Sequence, residues 1–387
     1  MNCLKTLFNQ NFMKKNIVSF LFLGISLPFL FQAQKEKETF QKSTFSIDNF
    51  FDQNNEALDY KVKDVFSKLS NDTIIVGQMI VPAVGKHGKP TDHVIKLAQK
   101  GWIGGVLLLN GTMETFTQFV KTFDSIAQIH GFLRPIYSAD AEPTLIKNKI
   151  IGSTSVPRTN KIKTEEKVAE VANTISKDLR KIGITQNYAP VIDASPNQTV
   201  NNRSFGISMD TVIPFSKVFI RETQKNGIVA TAKHFPGHGF VMGDSHEHLL
   251  FIDGEMKEVD NYKPIIEAGV ISIMVGHIAV KNNQKYNTNG LPSTCSRLIV
   301  TDLLKTEMGF KGIIVTDAMN MGGVIAVKNS GLKAAMAGCD MLLMPVKEQN
   351  DIFDIVSKMN EDRAFKAQVY ESVMKIIKLK ICLGLIK

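Results

Sequence analysis

The chain has 387 residues and is 44% hydrophobic, enough to bury one large α/β domain or two medium ones and too apolar to be disordered over most of its length. Its net charge of +9 comes from scattered lysines with no basic stripe interleaved with aromatics, which argues against a nucleic-acid partner.

At the amino terminus Lys5, Lys14 and Lys15 precede an apolar run over 17–31, and a polar segment follows. This pattern predicts a secretory signal over 1–33 with cleavage near Ala33, and hence a periplasmic or secreted protein. The run is short for a membrane span, so no stable span is expected after cleavage. Phe31 fits poorly three residues before the cut, so an uncleaved anchor is the alternative. Cys3 would leave with the signal. Cys295, Cys339 and Cys382 are too widely spaced for a disulfide framework or a metal pattern and read as small buried side chains. Residues 34–60, rich in Lys, Glu, Gln and Asn, read as a flexible polar leader running into a short helix near 61–69. The catalytic domain is expected over 61–387.

Beyond the leader, apolar runs rich in Val and Ile alternate with segments of helical period. Strands are predicted at 74–80, 103–109, 135–139, 185–189, 228–232, 271–275, 312–316 and 341–344. Helices are predicted at 165–182, with Thr164 as N-cap, at 215–226 and at 301–308. Eight strand-helix units in about 320 residues predict a single (β/α)8 TIM-like barrel, with an open doubly wound sheet as the alternative. Polar residues follow the strands in a consistent place: Asp140 after the third, Asp193 past the fourth, Lys233 and His234 after the fifth, His277 after the sixth, Asp317 after the seventh. In a closed barrel those ends converge on one mouth, where barrel enzymes work.

The densest chemistry lies in 228–248, where a buried strand gives way to K-H-F-P-G-H-G and then D-S-H. Four of the eight histidines, His234, His238, His246 and His248, fall here, and Gly237, Gly239 and Gly243 let the backbone turn. With G-F-K-G-I-I-V-T-D-A-M ending at Met319, Y-A-P-V-I-D at 188–193 and R-S-F-G at 203–206, the chain resembles glycoside hydrolase family 3, in its β-N-acetylglucosaminidase branch. The resemblance runs from about Gly77 to the carboxyl terminus. The second α/β domain that many relatives carry is not expected here.

The resemblance implies a retaining glycoside hydrolase that releases terminal β-linked N-acetylglucosamine from exported or cell-wall-derived glycans, as in peptidoglycan turnover. Retaining hydrolysis needs a nucleophile under the anomeric carbon and an acid/base beside the leaving oxygen. Asp317, at the end of a rigid strand, is expected as nucleophile; a helix-capping role is the plainer alternative. His246 is expected as acid/base, since histidine titrates near neutrality without the desolvation a glutamate needs, and Asp244 is placed to orient its ring. Lys233, His234, Arg203 and Asp140 match family positions that contact the sugar. The plainer readings are an Arg203–Asp140 salt bridge and a core-satisfied His234. His277 stands between pocket lining and structural duty, while His238 and His248 are left to loop structure.

One departure stands out. Relatives carry D-Q-E-G-G and a nearby arginine after strand three, whereas this chain has Asp140-Ala141-Glu142-Pro143-Thr144 with Lys147 and Lys149 beyond. No cofactor or metal is expected. The rivals are a metal-dependent hydrolase using the histidine cluster, a non-catalytic sugar-binding protein, and phosphorolysis in place of hydrolysis.

Overall fold

The computed structural model describes residues 45–194, 200, 202–241 and 243–386; the expected signal over 1–33 and residues 34–44 of the expected leader lie outside them. Eight short parallel strands form the centre. Strand β1 is two runs, Ile80–Val81 and Ala83–Val84, either side of Pro82. There follow β2 (Gly105–Leu108), β3 (Ile136–Ala139), β4 (Gln186–Asn187), β5 (Val229–Phe235), β6 (Ser272–Val275), β7 (Ile313–Thr316) and β8 (Leu342–Leu343).

Each strand pairs with its sequence neighbour, from Ala83 opposite Leu107 round to Ser272 opposite Ile313. The ring closes through β8. Ile80 stands opposite Leu342, Val315 bridges to Met341, and the Thr316 N–H reaches the Met341 carbonyl at 3.0 Å. The closed (β/α)8 barrel therefore holds, and the open sheet does not.

The strands are buried on both faces, which is why they read as continuous apolar runs rather than alternating ones. The helix Glu165–Ile182 lies where its pattern predicts. Thr164 accepts from the Lys167 N–H, and Gly183 ends the helix at φ 97°. The second predicted helix runs Met209–Lys225 from a Ser208 cap, and the third is a wider-wound helix, Leu298–Glu307.

The first strand departs from expectation. Residues Asp72–Gly77 are a helix, and the strand starts only at Ile80. The Asn71 side chain caps the Ile74 N–H, and Asp72 bonds Lys366 and Tyr370 on the last helix, Arg363–Cys382, so tertiary contacts override the strand preference of Ile74, Ile75 and Val76. Within the segment read as leader, residues 47–49 form a short 3-10 turn, Ile47 and Phe50 are buried, and the helix Glu56–Ser67 begins. The last helix passes beneath the barrel: Lys375 donates to the Gly312 carbonyl ahead of β7, and Lys380 to Gln78 ahead of β1. Cys295, Cys339 and Cys382 are free and buried. Among the described residues no helix is long and apolar enough to cross a membrane.

Candidate active site

At the carboxyl ends of the strands lies a cavity of about 500 Å³. Six of the seven expected site residues line it: Asp140, Arg203, Lys233, His234, His246 and Asp317. They come from the ends of β3, β5 and β7, the segment after β4 and the loop after β5, far apart in sequence and brought together by closure of the barrel. The seventh, Asp244, supports His246.

Asp317 directly follows β7. Its Oδ1 accepts the Ala318 N–H at 2.8 Å, and its own N–H is held by the Val275 carbonyl at 2.9 Å. Burial alone would raise its pKa, but His234, the Ala318 N–H and Lys233 outweigh that and hold the carboxyl at about 2. It is therefore an anion throughout the neutral range, and it caps no long helix, because the next one is the four-residue Gly322–Ile325.

His277 is a structural support. Its Nε2 donates to the Ala318 carbonyl at 3.0 Å and its Nδ1 accepts from the Thr294 hydroxyl at 2.7 Å, which fixes the neutral tautomer. Burial pushes its pKa down, consistent with that form.

At the ends of β3 and β5 the charges interlock. Lys233 Nζ lies 3.0 Å from Asp140 and 2.7 Å from Glu142. Arg203 grips Glu142 with two bonds, Nε at 2.9 Å and Nη2 at 2.7 Å. Arg203 thus forks on Glu142, and the Arg203–Asp140 bridge, the plainer alternative, is not formed, which leaves Asp140 partly exposed. Glu142 is buried, a cost that Arg203 and Lys233 more than offset, so its carboxyl stays well below the usual range. Lys149, at the end of the short helix Ile146–Lys149, also lines the cavity where the strand-three motif departs from the family pattern.

His234 is positioned by Asp193, whose Oδ2 accepts from the ring Nδ1 at 2.8 Å and from the His234 backbone N–H at 3.1 Å. The same carboxylate takes the His238 N–H at 2.9 Å. His246 projects from the loop after β5. Asp244 Oδ1 accepts from its Nδ1 at 2.6 Å and from its backbone N–H at 2.9 Å, leaving Nε2 as the ring nitrogen free for proton transfer. The loop is docked onto the segment after Asp317: the Gly322 and Gly323 N–H groups donate to the His246 and Ser245 carbonyls at 2.8 and 3.1 Å. A Cβ on Gly322 would sit 2.1 Å from the Glu247 carbonyl oxygen, so only glycine allows this approach.

Sequence spacing does not single out Glu142, the supporting role of Asp193, or the Gly322–Gly323 seat. Each acts through contacts that exist only in the folded chain. The cavity is thus lined at once by the anionic Asp317 carboxylate and by the His246 imidazole that Asp244 orients. Among the described residues no group of three or more His, Cys, Asp or Glu side chains is arranged to hold a metal.

Residues 74–379 match the glycosyl hydrolase family 3 N terminal domain. A β-N-acetylglucosaminidase/β-glucosidase of Cellulomonas fimi is 27% identical over 300 residues, covering 73% of this chain and 53% of that protein. A β-hexosaminidase of Vibrio cholerae is 28% identical over 266 residues, covering 66% and 78%. The chain spans about half the length of the first curated relatives it matches. Among solved structures, a family 3 β-N-acetylglucosaminidase from Paenibacillus sp. superposes with a TM-score of 0.73 at 24% identity, over 81% of this chain and 62% of that one. A β-N-acetylhexosaminidase from Beutenbergia cavernae gives 0.71 at 20%, over 79% and 97%. At these identities the structural likeness speaks for the fold.

Proposed function

Because the chain belongs to glycosyl hydrolase family 3, we propose that it is a retaining glycosidase that releases terminal β-linked N-acetylglucosamine. The observation that carries the reading is that the ionised Asp317 and the Asp244-oriented His246 line one cavity. In the first step an Asp317 oxygen attacks the anomeric carbon, and the bond to the leaving oxygen breaks as His246 donates its proton there. In the second, His246 takes a proton from water, the water oxygen attacks the same carbon, and Asp317 is released. Asp140, Lys233, Arg203 and His234 hold the hydroxyls, with Lys149 at the edge where relatives place other residues. The names of the relatives support the acetamido sugar, and the amino-terminal pattern supports an exported enzyme acting on cell-wall-derived or other exported glycans.

Chromogenic aryl β-glycosides differing only at the 2-position test this reading. The N-acetylglucosaminide should turn over at least about a hundredfold faster than the glucoside, and Asp317→Asn should lose about a thousandfold or more in kcat. The β-anomer should appear first by NMR. Turnover should survive EDTA dialysis and be indifferent to phosphate. Acceleration by phosphate would assign phosphorolysis instead, and binding of the sugar without turnover would leave a binding protein.

A further inference from the structure

Glu258 lies twelve residues past His246, and it grips the loop that carries that histidine. It is 4% exposed, and its two carboxylate oxygens are used on two different segments. Oε1 accepts the Ala194 N–H at 2.8 Å, just past Asp193, and Oε2 accepts the Gly239 N–H at 2.6 Å, in the loop leading to His246. The two glycines of the P-G-H-G turn exist for this contact. A Cβ on Gly237 would stand 2.5 Å from the Glu258 Cβ, and one on Gly239 would stand 2.3 Å from Oε1. Gly237 also sits at φ 126°, so two constraints meet at one residue.

Between those glycines, His238 carries the restraint onward. Its N–H is held by Asp193 at 2.9 Å, and its ring Nε2 meets the Ser245 hydroxyl at 2.9 Å, next to His246. A connected path thus runs from Glu258 through the 237–239 turn and the His238 ring to Ser245 and His246. Among titratable groups, Asp193, His238 and Tyr262 face this region, and burial together with the Asp193 charge pushes the Glu258 carboxyl up to about 8.

We infer that Glu258 is a positioning residue for His246: the two backbone N–H bonds its carboxyl group accepts fix the turn that sets where the acid/base imidazole stands over the cavity. The inference rests on the acid/base role proposed above for His246. Glutamine is the informative replacement, because its amide NH2 cannot accept either of the two backbone N–H bonds that the carboxyl oxygens accept whether or not the group carries a proton. Deletion of a general acid hurts substrates with poor leaving groups and spares activated ones, whereas general damage to the fold hurts both alike.

Two readouts separate this inference from the functional reading. Hydrogen exchange of the 237–248 segment in Glu258→Gln needs no activity and should quicken by about tenfold or more against the wild type. In the aryl N-acetylglucosaminide series, kcat/KM for a poor leaving group should fall by about tenfold to a hundredfold, with an activated dinitrophenyl substrate within about twofold. Added to His246→Ala, the change should cause no further loss. Unchanged exchange, equal loss across leaving groups, or a further loss in the His246→Ala background would each overturn the role. If Glu258→Gln does not fold, Gly239→Ala, which displaces the same carboxylate from the loop side, is read by the same criteria. A wild type inactive on every aryl glycoside would defeat the functional reading, while the exchange measurement would still judge the clamp.

Discussion

Glu142 serves two cations at once, and this explains how the buried Lys233 and the half-buried Arg203 can sit at the barrel mouth without destabilising the fold. Removing one member of such a group leaves charge uncompensated in a dry site, a loss of roughly 3 kcal/mol. Glu142→Gln should therefore unfold at lower urea by about that free energy at neutral pH, and should raise KM as the two cations shift. The pH dependence has a definite sign. The folded-state pKa lies below the ordinary glutamate value of 4.5, so the stabilisation is fully present above 4.5 and is lost as the pH falls below it. The gap between variant and wild type should hold from neutrality down to about pH 5 and narrow under stronger acid. A gap that stays constant into acid would show that the carboxylate contributes by shape and not by charge. Asp317 and Lys233 are legible in the sequence because each closes an apolar strand. Glu142 is not, since its role depends on Arg203 and Lys233, 61 and 91 positions away in the chain, meeting it across the barrel mouth.

The helix Glu165–Ile182 is where local sequence and final structure agree most closely, with an apolar stripe, a Thr164 cap at 3.2 Å from the Lys167 N–H and a left-handed Gly183 at its end. Thr164→Ala should cost about 1 kcal/mol, read as a lower melting temperature with kcat unchanged, because this helix lies outside the site. No change in melting would mean that water caps the helix equally well. The element that misleads is the segment 72–77, whose Thr-Ile-Ile-Val run has strand character but whose ends carry helix signals in Asn71 and Asp72. Local preference is overruled by the last helix, almost 300 residues away, through Lys366 and Tyr370. The same reason hides the ordered turn at 47–49, which holds the buried Ile47 and packs against the carboxyl-terminal helix. The glycines of the loop after β5 read as turning points, whereas Gly237 and Gly239 serve mainly to admit Glu258.

Across the described residues the barrel keeps two sets of charges apart, with the groups proposed to react at the mouth and a second set at the floor. Two lysines of the last helix show the contrast. Lys375 meets both oxygens of the buried Asp340, at 3.0 and 2.8 Å, whereas Lys380, fully buried, has among the described residues only the Gln78 side-chain oxygen at 2.7 Å. With no carboxylate to offset its desolvation, burial pushes the Lys380 pKa from the ordinary 10.5 down to about 7. The unfolded chain takes up this proton at 10.5 and the folded chain only near 7, so between those limits the unfolded state binds more protons and stability rises with pH. Below about 7 the full penalty is present and constant. Lys380→Met keeps the length of the side chain and removes the titration, at the loss of one hydrogen bond worth about 1 kcal/mol. The variant should be more stable than the wild type by roughly 3 kcal/mol at neutral pH, the advantage shrinking steadily toward pH 10. Urea unfolding at several pH values measures it directly. Equal stability at neutrality, or a gain that ignores pH, would show that this amine keeps its proton in the barrel floor and that the polar contact with Gln78 suffices to hold the charge.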